Sequence, residues 1–592
     1  MWINYKNKGL ERILIGVNVV TAMVVAATFV MLFGFYEPLL PKDILYTTQV
    51  VLLCIFIVEK IIRQLNAVSK KEFLRISWFQ IPLLVVLAIA LLGAGRWFAQ
   101  SNAAAVRHAA VGVYLVFQVV FKVCRTVVNM AASGRNPTPT LIASFLALII
   151  CGAGLLMLPR ASVNESTSFV DALFTATSAS CVTGLTVKDT GTHFTIMGQI
   201  IILAMIQLGG LGIVVFGAVF ALLLGQALSL SESVAMQDLL SAHTLGRIGN
   251  MVAFVFVGTL FIEAIGAISM FGMWDNVPGW TGDVHKQWFC SVFHSISAFC
   301  NAGFGLFSDN LISYSRSWEV YVVICPLIIL GGLGFSVLYD LTNISGGMVN
   351  RLFNGRFNGG RLSHVPRRML LQTKIVLTVS ASLIIFGTLA ILICERYAGG
   401  RSAIENTDIL DALFQSVTAR TAGFNTVNIA EMSASSRFIL ILLMFVGGSP
   451  GSTAGGIKTV TLAVVIMTAV AAFRKRREVE MFKRSVQLVI VGRAVAITLC
   501  FVAVLFTVTL VLSITENAKG FTLSDIIFET ASALGTVGLS TGITGSLTTA
   551  GKLIIMAVMF VGRLGPLTLL AALTFNLKPA RYNYPEEVVI VG

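Results

Sequence analysis

Charge is scarce in this chain. Only 12% of its 592 residues are Asp, Glu, Lys or Arg, about half the share found in a soluble globular protein. Hydrophobic residues make up 56% of the sequence, and the mean hydropathy is +0.87. The apolar runs are long and continuous, which excludes a membrane β-barrel, because barrel strands alternate apolar and polar residues. The composition therefore predicts an all-α integral membrane protein.

Groups that serve catalysis or metal binding are also few. The nine cysteines form no CxxC pair and lie mostly in apolar runs, where they are typical of small core residues. The six histidines are scattered, and no recurring set of His and carboxylate residues accompanies them. A membrane-embedded enzyme would need such a cluster. The sequence therefore predicts no catalytic residue and no covalent cofactor.

The net charge of +14 allows two interpretations. A basic protein can bind nucleic acid, but here the cations gather between apolar runs, as the positive-inside rule expects for a membrane protein. With the N-terminus in the cytoplasm, twelve spans place the basic segments 70–75, 351–368 and 474–484 inside. No A-x-A cleavage site follows the first apolar run. We expect a multi-pass plasma membrane protein with cytoplasmic termini and no nucleic-acid partner.

One short stretch recurs four times, and each copy ends in a tetrad whose third residue is glycine. The glycines are separated by roughly 120 residues, a period much longer than that of a solenoid. The helical part of each copy has about ten residues, too few to cross a hydrocarbon core of about 30 Å, so it must enter and leave on one side. The first three tetrad residues are Val182, Thr183 and Gly184; Asn301, Ala302 and Gly303; Thr421, Ala422 and Gly423; and Thr536, Val537 and Gly538.

Long apolar segments flank each copy, which predicts repeats of helix, pore loop and helix. The domains are predicted at 1–135, with four transmembrane helices, and at 136–592, with repeats at about 136–248, 249–365, 366–484 and 485–592. The second helix of each repeat is predicted at about 196–224, 320–339, 438–473 and 552–573. We interpret Gly209, Gly210, Gly212, Gly331, Gly332 and Gly334 in these helices as points of close helix packing.

The four glycines suit a cation pathway. Backbone carbonyls can replace the hydration shell of an ion when the chain is extended with its oxygens pointing inward, and glycine reaches the required positive φ at little cost. Each short helix directs its partly negative C-terminal end toward the same axis. A single copy would be a packing turn of a helical bundle. Four copies between long apolar segments favour a selectivity filter, with Arg420 and Glu529 orienting it from behind.

The second helix of the third repeat cannot be continuous. Five glycines and a proline stand at mid-membrane depth, and broken helices at this depth commonly line substrate paths. We interpret this segment as a gate below the filter. Its residues are Gly447, Gly448, Ser449, Pro450, Gly451, Ser452, Thr453, Ala454, Gly455 and Gly456. Its GSTAGGIKT run is not a phosphate-binding loop, because Ile457 separates the glycine from the lysine.

Arg563 stands where the corresponding helices of other repeats have glycine. An arginine at mid-membrane depth is costly and usually faces a cavity or a partner. It could form an electrostatic barrier to cations, bind free carbonyls of segment 447–456, or extend to the membrane interface.

With these motifs the sequence resembles the Trk/Ktr/HKT superfamily of potassium transporters, from about residue 137 to the end. The resemblance is carried by FHSISAFCNAGF (293–304), VTARTAGFNT (417–426), GGSPGSTAGGIKT (447–459), FETASALGTVGLSTGIT (528–544) and GRLGPLT (562–568). It implies four helix–pore-loop–helix repeats around a pseudo-fourfold pore. It also implies K⁺ uptake through the four glycines, gating by segment 447–456 with Arg563, a homodimer, and a cytosolic RCK/KTN-type nucleotide-binding regulatory subunit.

Alternatives remain within and outside this family. Members with serine at the first filter position are more permeable to sodium, so a sodium-permeable or sodium-coupled transporter of the same fold is the main alternative. A receptor with a vestigial pore is a second. The four N-terminal helices weakly resemble a voltage sensor, but the fourth offers only Arg107, Lys122 and Arg125. Because each charge moved contributes about 2.3 kcal/mol per 100 mV, we expect weak voltage dependence.

Overall fold

The computed structural model describes residues 6–70, 80–97, 100–133, 138–212, 248–274, 283–357, 369–397, 408–476 and 478–565. Within these ranges six helices are long and apolar enough to span a membrane, and a seventh span is a bent pair of helices. The all-α membrane fold expected from the composition is confirmed. The predicted domain boundary near residue 135, the helix ends 213–224 and 566–573, and the basic segment 358–368 lie outside the described residues.

The described chain contains eighteen α-helices and one pair of short strands. In chain order they are α1 (Lys8–Gly34), α2 (Lys42–Asn66), α3 (Gln80–Trp97), α4 (Gln100–Ser133), α5 (Thr138–Leu156), α6 (Phe169–Ser180), α7 (Ile196–Leu211), α8 (Ile248–Ser269), α9 (Val284–Phe299), α10 (Cys325–Leu333), α11 (Phe335–Phe357), α12 (Leu371–Tyr397), α13 (Ile409–Thr418), α14 (Ala434–Phe445), α15 (Thr459–Phe473), β1 (Val479–Met481), β2 (Arg484–Val486), α16 (Leu488–Thr515), α17 (Leu523–Gly535) and α18 (Thr549–Leu564).

Helices α1 to α4 pack around a small core of their own, which includes the fully buried Phe56 and Tyr114. A polar chain runs beside this core. Asn18 donates a hydrogen bond of 2.6 Å to Glu59, and the Lys122 ammonium lies 3.9 Å from the centre of the Phe56 ring. A buried charge needs such partners, because desolvation without them is costly.

Helices α5 to α18 form four repeats, each with a first helix, a short helix and a second helix. The four short helices, α6, α9, α13 and α17, have 12, 16, 10 and 13 residues; we call them the pore helices. Side chains cap the starts of three of them: Ser168 at α6, Asp283 at α9 and Thr522 at α17. An N-cap satisfies a backbone N–H group that the helix leaves unpaired.

The second helices are interrupted more often than the sequence predicted. Helices α7 and α18 end immediately before Gly212 and Gly565, and the chain turns by 104° between α10 and α11 at Gly334. These glycines have φ of +81°, +85° and +89°, respectively, a conformation that ends a right-handed helix. The uninterrupted helices predicted over 196–224, 320–339 and 552–573 are therefore wrong at these positions.

The glycines of the second helices divide into two kinds. A Cβ on Gly209 would collide with the carbonyl oxygen of Ser180, and one on Gly331 with that of Phe299. These glycines let the second helix touch the C-terminal end of its pore helix, which agrees with the packing interpretation. No atom lies within 4 Å of a Cβ on Gly212. Its role is to terminate the helix, and the packing interpretation was wrong there.

A small hairpin begins in the basic segment 474–484 and ends at Val486, and it was not predicted from the sequence. Strands β1 and β2 pair antiparallel, with Val479 opposite Val486. The turn residues Phe482 and Lys483 have φ of +48° and +62°. Side chains other than Gly, Asn and Asp seldom take this conformation in hairpin turns, which explains why no turn signal was visible.

Candidate functional site

The four glycine tetrads meet in a closed ring. A Cβ on Gly184 would lie 2.6 Å from the carbonyl oxygen of Ala302, and one on Gly303 would lie 2.7 Å from that of Ala422. In the same way, each glycine packs on the second tetrad residue of the next repeat. The four pairs are Gly184 with Ala302, Gly303 with Ala422, Gly423 with Val537, and Gly538 with Thr183. The contacts run through repeats 1, 2, 3 and 4 and return to repeat 1.

The tetrads share an unusual backbone. The glycines have φ of +89°, +69°, +83° and +96°, and the first residue of each tetrad also has a positive φ. For Val182, at +55°, this is a real outlier, because a β-branched residue crowds its own backbone there. Of the four first residues, only Asn301 tolerates a positive φ readily, so the residue types did not predict it.

The C-terminal end of each pore helix leads directly into the ring. The C-terminal residues of the pore helices lie no more than three residues before the tetrads, so the partly negative helix ends face the ring. Hydroxyl groups of the same helices bind the tetrad backbone. Ser178 and Ser532 accept from the N–H groups of Gly184 and Gly538, both at 3.1 Å.

The carbonyl ends of the tetrads are fixed in a similar way in the other two repeats. Ser297 donates to the Phe304 oxygen at 2.8 Å, and Thr418 donates to the Phe424 oxygen at 2.6 Å. All four repeats therefore use a pore-helix hydroxyl to set the tetrad backbone. These bonds were not predicted from the sequence.

The ring presents oxygen atoms that have no other partner. Among the described residues, no donor binds the carbonyl oxygen of any of the twelve tetrad residues named above. The buried hydroxyl oxygens of Thr183 and Thr536 likewise find no partner there. Buried oxygens are normally hydrogen-bonded. A ring of uncommitted oxygens has the chemistry to coordinate a desolvated cation.

Two charged residues stand behind the ring. Glu529, in α17, accepts from Thr544 at 3.0 Å and also from Ser540, so it ties the pore helix to the segment that follows the tetrad. Arg420 donates to the Ser380 hydroxyl of α12 at 3.1 Å. Neither side chain belongs to the ring itself. Their role in orienting the tetrads stays a prediction.

Charged and polar bridges join neighbouring repeats at the start of three pore helices. Lys552 contacts Asp171 at 2.8 Å, and Arg437 contacts Asp525 at 3.2 Å. The third bridge replaces the cation by a phenol: the Tyr321 hydroxyl donates to Asp411 at 3.1 Å. Each aspartate stands in the first turn of its pore helix, where an anion is favourable. Their partners, which were not predicted from the sequence, stand ten residues before Gly562, Gly447 and Gly331.

The bridge between Lys552 and Asp171 is suited to a double-mutant cycle. We expect Lys552→Met and Asp171→Asn each to lower the melting temperature, and the double variant to lose less than their sum. The pair is largely buried, at 15% and 13% exposure, so a coupling free energy of about 1–2 kcal/mol is expected. Thermal unfolding of the purified chain in detergent measures it. Strictly additive losses would contradict a bridge between repeats 4 and 1.

Segment 447–456 forms a loop between α14 and α15, as predicted. It lies against the broken second helix of repeat 2. The Ser449 N–H donates to the Gly332 oxygen at 2.9 Å, and the Phe335 N–H donates to the Gly451 oxygen at 2.9 Å. The Thr453 hydroxyl adds a bond of 3.1 Å to the Gly331 oxygen. The loop thus satisfies backbone groups that the break at Gly334 leaves open.

The loop also contacts the ring. A Cβ on Gly455 would collide with the hydroxyl of Thr536, the first tetrad residue of repeat 4. The Lys458 ammonium, which the sequence analysis did not single out, donates to the Ala454 oxygen at 2.6 Å and steadies the end of the loop.

Arg563, in repeat 4, links this loop of repeat 3 to α7 of repeat 1. Its guanidinium donates to the Thr453 oxygen in the loop, to the Gly209 oxygen, and at 3.2 Å to the Gly210 oxygen at the end of α7. Of the three alternatives for this residue, the contacts agree with binding to loop carbonyls. Extension to the interface does not fit, because the side chain is held at the helix breaks.

The carboxylate of Glu263, another polar group in the membrane, is held by a hydrogen bond. Glu263 in α8 is buried and accepts from Gln207 at 3.2 Å. In the part of the chain that the structure describes, no group of three or more His, Cys, Asp or Glu side chains could hold a metal ion.

The chain is similar to known cation transport proteins. Residues 107–582 match the family model TrkH, described as a cation transport protein. The chain is 39% identical over 461 residues to the Ktr system potassium uptake protein B of Bacillus subtilis, covering 77% of this chain and 97% of that protein. It is 35% identical over 469 residues to the potassium/sodium uptake protein NtpJ of Enterococcus hirae, covering 77% and 97%.

A solved structure supports the fold. The potassium transporter TrkH from Vibrio parahaemolyticus matches with a TM-score of 0.54 at 18% identity, covering 84% of this chain and 96% of that one. The resemblance inferred from the motifs is thus confirmed, and the chain belongs to the TrkH family of cation transport proteins.

Proposed function

We propose that this chain takes up potassium across the plasma membrane through the ring of Gly184, Gly303, Gly423 and Gly538. Its family makes it an ion transporter and not an enzyme. The observation that carries the proposal is the ring of carbonyl oxygens, contributed by all four repeats and free of protein donors within the described ranges.

The electrostatics of the ring favour a cation and disfavour an anion. Carbonyl oxygens carry partial negative charge, and four helix C-terminal ends add to it. The inter-repeat bridges and pore-helix hydroxyls fix the backbone, so the oxygens need not rearrange when an ion loses its water. A fixed site of this kind binds the cation whose size fits the ring.

Potassium is the cation that the names of both relatives share. The Bacillus subtilis relative is named for potassium uptake, whereas NtpJ is named for potassium and sodium. Glycine at all four third positions favours potassium, because no side chain narrows or blocks the ring. A sodium-permeable or sodium-coupled transporter is the alternative, and its support is the similarity to NtpJ.

Segment 447–456 and Arg563 are the proposed gate. The loop touches the ring at Thr536, and Arg563 binds both the loop and α7. Arg563 also places a positive charge beneath the ring, where it raises the energy of a passing cation. Moving the loop would remove a barrier of both bulk and charge without altering the ring.

The assembly forms a further part of this proposal. We propose a homodimer of chains with an N-terminal four-helix domain at 1–135 and a transporter domain at 136–592. The basic segments 70–75 and 474–484 then face the cytoplasm with both termini, where they could contact a nucleotide-binding regulatory subunit of RCK/KTN type. The bacterial inner membrane is the proposed location.

Flux into proteoliposomes containing only the purified chain tests this function. We expect K⁺ influx to exceed Na⁺ influx by at least roughly tenfold, equivalent to 1.4 kcal/mol between the two ions. Equal fluxes would support the sodium-permeable alternative. If well-folded protein gave no flux, a chain with segment 447–456 shortened would distinguish a closed gate, which opens, from a wrong pore assignment, which stays silent.

A further inference from the structure

A cavity of about 530 Å³ lies outside the transporter repeats, between α1, α2 and α4. Its wall is mostly apolar and includes Phe29 and Gly112, where a Cβ would already approach the Phe29 ring to 3.3 Å. Phe33 and Val113, which also line it, are 55% and 67% exposed on apolar helices long enough to span a membrane. The volume is typical of sites that hold small molecules.

One buried polar group points to a ligand for this cavity. Gln49 lines it and is only 2% exposed. Among the described residues, no acceptor lies within hydrogen-bond distance of its Nε2 group. A buried amide without an acceptor is costly, particularly in a membrane, where water cannot supply one.

Two other residues with polar groups, Tyr46 and His108, line the cavity near Gln49. Their rings stack with centroids 3.9 Å apart. Helix α2 begins at Lys42, so Gln49 lies roughly 10 Å along the helix from its start. Tyrosine is enriched at the level of lipid head groups. Gln49 is therefore placed just inside that level.

We propose that this cavity binds the acyl chain of a membrane lipid, with the acyl carbonyl oxygen accepting a hydrogen bond from Gln49 Nε2. The apolar wall matches the chain, and the single buried donor matches the oxygen at its polar end. The exposed lining residues give access from the membrane, which supplies such chains at high concentration. The lipid joins α1, α2 and α4, and stabilises the N-terminal helices.

The acyl oxygen distinguishes this proposal from simple filling by hydrocarbon. Purified full-length chain is reconstituted with phosphatidylglycerol whose chains are ester-linked or ether-linked, and retained lipid is measured by native mass spectrometry. The ether lipid has the same chain but no carbonyl acceptor. We expect the ester lipid to be retained roughly tenfold more strongly, as for one buried hydrogen bond, and to raise the melting temperature more.

Two variants, each with a matched control variant, assign the preference to this cavity. Gln49→Leu should abolish the difference between ester and ether lipids, whereas Gln118→Leu, at a buried glutamine of α4 outside the cavity lining, should preserve it. Ala109→Trp should fill the cavity and release both lipids. Val50→Trp, on the exposed face of α2 and outside the lining, is its control.

The mass of the retained species identifies its source. An intact diester phospholipid or a free fatty acid would each support an acyl oxygen at Gln49 and would name the donor. Equal retention of ester and ether lipids by the unaltered chain would overturn the proposal, as would loss of ester preference in Gln118→Leu but not in Gln49→Leu. The comparison on the unaltered chain needs no variant, so a folding defect in either one cannot obscure it.

Discussion

Gly184→Ser is expected to reduce the preference for K⁺ over Na⁺ by roughly tenfold or more, a loss of at least 1.4 kcal/mol. A Cβ at this position would lie 2.6 Å from the Ala302 carbonyl oxygen, closer than real Cβ atoms approach. The oxygen must move, and it is one of the oxygens proposed to bind the ion. Since Gly303 and Gly423 pack in the same chain of contacts, the displacement should pass around the ring.

The measurement is the ratio of K⁺ to Na⁺ flux into proteoliposomes, with the melting temperature as a check on folding. Gly542→Ser is the matched control. Gly542 has a similar φ of +96°, but no atom lies within 4 Å of its Cβ position, so it carries the backbone strain without the collision. An unchanged flux ratio in a folded Gly184→Ser protein would show that Gly184 does not belong to the filter.

The sequence was most informative where the repeats could be compared with one another. The four tetrads and their glycines were visible because the same pattern returns between long apolar segments. The loop at 447–456 was visible because five glycines and Pro450 cannot form a membrane helix. Both predictions rest on residues whose backbone chemistry is distinctive, and the structure places them together at the centre of the transporter repeats.

Geometry that depends on contact between repeats was not visible. Val182 and Thr536 take positive φ although their types disfavour it, because the neighbouring repeats and pore-helix hydroxyls hold them there. The bridge from Lys552 to Asp171 joins residues 381 positions apart. The break at Gly212 was mistaken for a packing site, because a glycine that ends a helix and one that packs a helix look alike in sequence; Gly334 both breaks its helix and packs against Ser449.

Arg563→Gln is expected to raise K⁺ flux by roughly tenfold while leaving the K⁺ to Na⁺ ratio unchanged. The guanidinium binds one carbonyl of the loop and two of α7, and each charged hydrogen bond contributes about 1.5–3 kcal/mol. Glutamine has no charge and is too short to reach both groups. The loop should therefore leave its position more often, and the electrostatic barrier beneath the ring should fall.

Two further variants separate the gate from a general effect of charge. Arg493→Gln removes an exposed arginine of α16 and should leave flux unchanged. Arg563→Lys keeps the charge but loses the planar guanidinium, so its flux should lie between that of the unaltered chain and that of Arg563→Gln. A chain with part of 447–456 deleted should gain little from adding Arg563→Gln, because both changes act on one element.

The ratio of fluxes decides which part of the pathway Arg563 serves. Raised flux with an unchanged ratio places its effect at the gate, below the ring. A changed ratio would mean that Arg563 acts on the filter through Thr536 and Gly455, which pack against each other. Lost flux in a folded Arg563→Gln protein would contradict the gate, since a residue that holds the loop closed cannot be required for the ion to pass.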